Sequence, residues 1–83
     1  MIKCIIIANA AGAASYWAHQ ANLRPGDWSY INGENFHDVQ KLQGLPPDFP
    51  VYVVERTRIG DELDMHITGR GFKLQMAENI PRG

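Results

Sequence analysis

Two arginines, Arg56 and Arg58, stand two residues apart just after the apolar run Val51–Val54. A guanidinium holds phosphate and carboxylate alike through paired N–H donors, so the pair offers anion recognition. In extended chain, side chains two apart point the same way, and both would reach one anion or one acidic partner surface. Asn9 follows a second apolar run, Ile2 to Ala8, and precedes Ala10, Ala11 and Gly12. A strand that passes through a small-residue loop into a helix opens the dinucleotide and phosphate folds, whose glycines let backbone N–H groups approach the phosphates. Gly12 is the one glycine of this loop, and the sequence holds neither GxGxxG nor Gly-Lys-Ser/Thr. The scaffold of a nucleotide site is present without its phosphate chemistry, which favours binding of another macromolecule. The plainer reading of the two arginines is solvation, or pairing with Glu55 and Asp61, because surface ion pairs are common and weak.

Other chemistries have less support. His19, His37 and His66 have no second ligand at helix or finger spacing, and Cys4 stands alone inside an apolar run, so no metal site is expected. Cys4 reads as a core thiol and Ser15 as a helix-start residue; no catalytic residue, enzyme activity or cofactor is expected. Trp17 lies on an apolar helical stripe and belongs in the core. Tyr16 flanks that stripe and is expected at the surface, where aromatic and arginine side chains anchor protein interfaces.

These residues need a frame, and the pattern supplies one. Ile2 to Ala8 is apolar on both faces, as in a central parallel strand. Ala14, Trp17, Ala18 and Ala21 recur at helical spacing and predict a helix from about Ala11 to Leu23, stopped by Arg24-Pro25-Gly26-Asp27. Trp28 to Ile31 reads as a second strand. A helix from Glu34 to Gln43 carries Phe36, Val39 and Leu42 on one face, with Asn35 and Asp38 arranged as in a capping box and Gly44 closing it. Val51 to Val54 is a third strand. Residues 61–70 fit two patterns, a β-hairpin strand or a short helix; the alternation alone leans towards the hairpin, and the βα rhythm of the preceding chain selects the helix, followed by a strand around Phe72–Met76. The expected fold is a single α/β domain over 1–83, a small Rossmann-like three-layer βαβαβ(αβ) sandwich with a mostly parallel sheet. In such a sheet ligands meet the carboxyl ends of the strands. That crest gathers Asn9, Asn32, Glu34, Asn35, Glu55, Arg56 and Arg58.

The 83 residues are 45% hydrophobic with a net charge of −1, values of a globular domain with a thin core and no general basic excess for nucleic acid. Charge is uneven: residues 56–83 hold five basic and four acidic side chains, against three and five in residues 1–55. One cysteine excludes an internal disulfide, and no signal or membrane-length apolar run is visible, so a cytoplasmic protein without membrane contact is expected.

Several segments recur in one order: Tyr16 in an Ala-rich helix, Leu23-Arg24-Pro25-Gly26-Asp27-Trp28-Ser29-Tyr30, Leu42-Gln43-Gly44-Leu45, and Val51-Tyr52-Val53-Val54. Over residues 1–77 this order resembles small Rossmann-like proteins of tailed bacteriophages that lack a P-loop. The matched positions are mostly core and turn residues, so no catalytic role carries over. Small phage proteins of this size also include anti-CRISPR proteins, which block a host surveillance complex or its nuclease. The resemblance thus implies a non-enzymatic inhibitor in the host cytoplasm. Its partner would be a host protein or nucleoprotein complex, such as a CRISPR effector or nuclease, with no direct sequence-specific nucleic-acid binding. The partner-binding residues expected are Arg56, Arg58, Asn9, Asn32, Glu34 and Tyr16. Acidic residues such as Asp27, Glu34, Asp38, Asp48, Asp61, Glu62 and Asp64 could occupy a basic groove on such a partner. Two alternatives stand beside this: a minimal nucleotide- or phosphate-binding module using Asn9, Arg56 and Arg58, and a DNA-binding accessory protein using the basic C-terminal third.

Overall fold

Ile5, Ile6 and Ile7 have no solvent exposure in the computed structural model, which describes residues 2–82. Consecutive β-branched residues buried on both faces need a strand covered above and below. That strand, β1 (Cys4–Ala8), is central: β2 (Trp28–Asn32) pairs with one side, β3 (Val51–Val53) with the other, and β4 (Leu74–Met76) lies beyond β3. The order is β2-β1-β3-β4 and every pairing is parallel.

The pleat of β1 divides the core in two. Cys4, Ile6 and Ala8 face helix α1 (Ala11–Gln20), whose Ala14 and Ala18 are small enough to seat it close to the sheet. Ile5 and Ile7 face the opposite layer, where Leu42 of a 3-10 helix (Phe36–Leu42) and Leu63 and Ile67 of helix α2 (Asp61–Gly69) close the core. Each fully buried Ile or Leu contributes about 1.5–3 kcal/mol of transfer free energy. The result is the expected three-layer α/β sandwich, with a sheet parallel throughout and residues 61–69 helical.

Three local expectations give way to observed geometry. Helix α1 ends at Gln20, ahead of the Arg24-Pro25-Gly26-Asp27 turn, because Asn22 turns left-handed (φ 59°). The Asn22 N–H then donates to His19 O (3.0 Å) and the Leu23 N–H to Ala18 O (2.9 Å), which satisfies the last carbonyls of the helix. Phe36, Val39 and Leu42 recur every third residue, the period of a 3-10 helix, and the segment adopts that form instead of an α-helix. Trp17 sits at the margin of its core cluster, partly buried and edge-on to Tyr16 (ring centroids 5.4 Å apart), not inside it.

Asp38 does not cap its own helix. Its carboxylate accepts from the Asn32 N–H (2.9 Å), while Lys41 Nζ donates to Tyr30 O and lies 3.9 Å from Asp38. These two side chains cover backbone groups along the outer edge of β2. Among the described residues no helix is long and apolar enough to cross a membrane.

Candidate functional site

Adjacent strands β1 and β3 send their chains to opposite faces of the sheet: β1 continues into α1 on one side and β3 into α2 on the other. This divergence is where an open α/β sheet forms its ligand crevice. Here the chain bridges that point itself. Asn9, from the loop after β1, donates through Nδ2 to Arg58 O (2.8 Å) and accepts through Oδ1 from the Arg58 N–H (2.7 Å). An amide side chain thus satisfies both backbone groups of one residue in the loop after β3.

The loop after β2 joins the same contact. The Gly33 N–H donates to Ala8 O (3.0 Å), and the Gly60 N–H donates to Gly33 O (2.8 Å). A Cβ placed on Gly33 would meet Arg58 O at 2.3 Å, so only glycine allows this approach. Asn32 is absorbed locally, its side chain accepting from the Glu34 N–H (3.0 Å) in an Asx-type turn. Three crossover loops are therefore fastened to one another along the crest.

No known protein family, curated protein or solved structure matches the chain.

What the crest presents outward is set by this fastening. Glu34, Arg56 and Arg58 are exposed. Arg56 and Arg58 do not follow one extended line: the Thr57 N–H donates to Val54 O (3.1 Å) in a turn, and Arg56 holds a left-handed backbone (φ 66°). A turn with positive φ at its third residue suits glycine, and an arginine there carries strain of about 1–2 kcal/mol. Neither arginine forms an ion pair with Glu55 or Asp61, and Arg58 is held by its backbone, leaving its guanidinium unpaired among the described residues. Tyr16, 57% exposed, lies on α1, away from the crest loops. The structure thus brings Asn9, Asn32, Glu34 and Arg58 into one connected crest, places Arg56 in the turn leading to it, and leaves Tyr16 apart.

Sequence reasoning missed three exposed apolar side chains, Phe36, Met65 and Leu74 on edge strand β4. Phe36 is 50% exposed and stacks at 4.1 Å on His37; Met65 is 72% exposed on the outer side of α2. Phe36 shares the period-three stripe with Val39 and Leu42, which hid its position at the open end of that stripe. Met65 falls off the Leu63–Ile67 stripe in the helical pattern, and that was the available signal.

At the opposite end of the sheet, burial and then the Asp27 charge push the Cys4 thiol up to about 11, which keeps it protonated and unreactive near neutrality. Tyr52 beside it is also raised, chiefly by burial. Together with Lys3, Leu23, Pro50, Ile80 and Pro81 they line a largely apolar cavity of about 170 Å³, smaller than ordinary ligand sites, which start at about 300 Å³. Among the described residues no group of three or more His, Cys, Asp or Glu side chains is placed to hold a metal ion.

Proposed function

We propose that this protein acts by binding another macromolecule through the crest of its sheet. The observation that carries the reading is the fastening of the three loops through Asn9, Gly33, Arg58 and Gly60, which fills the crevice with the chain's own hydrogen bonds and turns Glu34, Arg56 and Arg58 outward. A surface whose backbone is already bonded loses little further conformational freedom on docking, which favours association. The strained Arg56 backbone agrees with this: strain of this kind is kept where a side chain has a use. The narrower form is a phage inhibitor of a host nucleic-acid-targeting defence complex, acting in the host cytoplasm. It rests on the sequence resemblance. The test is capture of partners from a bacterial lysate by wild-type protein and by the Arg56→Glu/Arg58→Glu variant, beside thermal melting of both. Loss of capture by a folded variant supports the crest; equal capture removes it. A plasmid-interference assay in a CRISPR-bearing host tests the narrower form, and undiminished interference in the presence of the protein rejects it.

A second reading, a phosphate site, is favoured by two observations: the first turn of α1 has neither a capping side chain nor an acidic residue, and both arginines lack ion-pair partners among the described residues. Calorimetry with ATP and inorganic phosphate separates it from the first.

A further inference from the structure

Beside the crest, a groove of about 180 Å³ runs between the start of the 3-10 helix and the start of α2. Phe36 and Leu63 line it together with three carboxylates, Glu34, Asp61 and Glu62, and no cation. Glu62 also borders a second depression of about 270 Å³, which it shares with Met65 and His66. Glu62, Met65 and His66 are spaced i, i+3 and i+4 and so share one face of α2. The two hollows adjoin at Glu62 and together make one tract: an exposed phenylalanine, three carboxylates, and an exposed methionine beside His66.

Carboxylates in the first turn of α2 offset its dipole, and that alone accounts for Asp61, Glu62 and Asp64. It does not account for Glu34, which belongs to another loop, or for Phe36 and Met65 left half or more exposed on either side of Glu62. A pair of large apolar side chains within a rim of three carboxylates and one histidine has the character of a protein docking surface. The sign of the rim chooses the occupant. Nucleic acid would set phosphates against three carboxylates, whereas a lysine- or arginine-bearing segment meets opposite charge.

We propose that this tract receives a cationic, apolar segment of a partner protein, with a leucine-like side chain against Phe36 and Met65 and a basic side chain against Glu34, Asp61 and Glu62. The inference deepens the binding role proposed above, but it uses neither Arg56 nor Arg58. The probe is a capped peptide of lysine and leucine, with a glutamate–leucine peptide of the same pattern as control, titrated into ¹⁵N-labelled protein and followed by amide chemical shifts. The expected result is saturable shifts confined to residues 33–36 and 60–66 with the cationic peptide and none with the anionic one. Affinity should fall about tenfold or more for Phe36→Ser/Met65→Ser with the carboxylates intact, and to a similar degree for Glu34→Gln/Glu62→Gln. Shifts scattered over every acidic surface, or binding indifferent to the Phe36/Met65 pair, would reduce the effect to unspecific charge attraction and overturn the proposal. So would the absence of saturable shifts. Because the peptide assay contains no cellular partner, its failure leaves the Arg56/Arg58 capture result standing, and the reverse also holds.

Discussion

Replacing Gly33 by alanine tests the crest most directly. The new Cβ would sit 2.3 Å from Arg58 O and 3.2 Å from both Arg58 C and Thr57 Cγ2. The oxygen contact is about 1 Å too close, and the atom in the way is backbone, so no side chain can swing aside. If the Arg58 loop yields by that much, the Gly60-to-Gly33 bond (2.8 Å) and the two Asn9–Arg58 bonds (2.7 and 2.8 Å) all stretch out of range. Three hydrogen bonds at about 0.5–1.5 kcal/mol net each set a ceiling near 4.5 kcal/mol. Partial relaxation brings the expected loss to about 2–3 kcal/mol, in line with other overpacked sites. For a domain of this size that corresponds to a fall in Tm of roughly 10–20 °C. The control is Gly12→Ala, where an added Cβ meets nothing within 4 Å and the helix gains a better former; its Tm should rise by a few degrees. Differential scanning calorimetry of both variants decides. A Gly33→Ala protein melting within about 2 °C of wild type would show that the loops are not held together as described, and the reading of a prefilled crest would fall with it.

Arg56→Gly should relieve the left-handed strain and raise stability by about 1 kcal/mol while weakening partner capture; a lowered Tm would contradict the positive φ. Asp38→Ala strips the Asn32 N–H of its acceptor and Lys41 of its ion pair, and should lose about 1–2 kcal/mol, measured by urea unfolding, while exposing the β2 edge to self-association visible in sedimentation velocity. Cys4 titrates near 9.0 when unfolded and at about 11 when folded, so its contribution is fully present below pH 9 and disappears as pH rises through 11. About 2–3 kcal/mol of stability should be lost over that window, and Cys4→Ala should flatten the alkaline limb; identical limbs for the two proteins would show that the thiol is not the titrating group.

Most of the fold is legible because it rests on periodicity. The isoleucine run announces a strand covered on both faces, the alanine stripe a helix close to a sheet, and the βα rhythm decides residues 61–69. The 3-10 helix was also written in the spacing of Phe36, Val39 and Leu42, where a period of three competes with 3.6. The end of α1 escaped because asparagine in a left-handed cap is a rarer stop than the proline and glycine that follow it. The crest is a different matter. Asn9 is recognisable as a loop residue, but its bond to Arg58 spans 49 positions and leaves no periodic trace. Gly33 reads as an ordinary turn glycine until Arg58 is seen against it. Exposure of Phe36 and Met65 depends on where neighbouring elements stop, which no local pattern records.

The same separation bears on how the molecule comes into being. Arg58 reaches Asn9 only after β3 has paired with β1, and that pairing encloses the whole β2 crossover. Contacts of such long range form late, after the loop entropy of the intervening chain has been surrendered. During synthesis or refolding, the first strand, α1 and β2 can assemble without any crest. A chain that has not yet reached this stage would therefore be blind to its partner, and recognition would report that β3 has docked on β1.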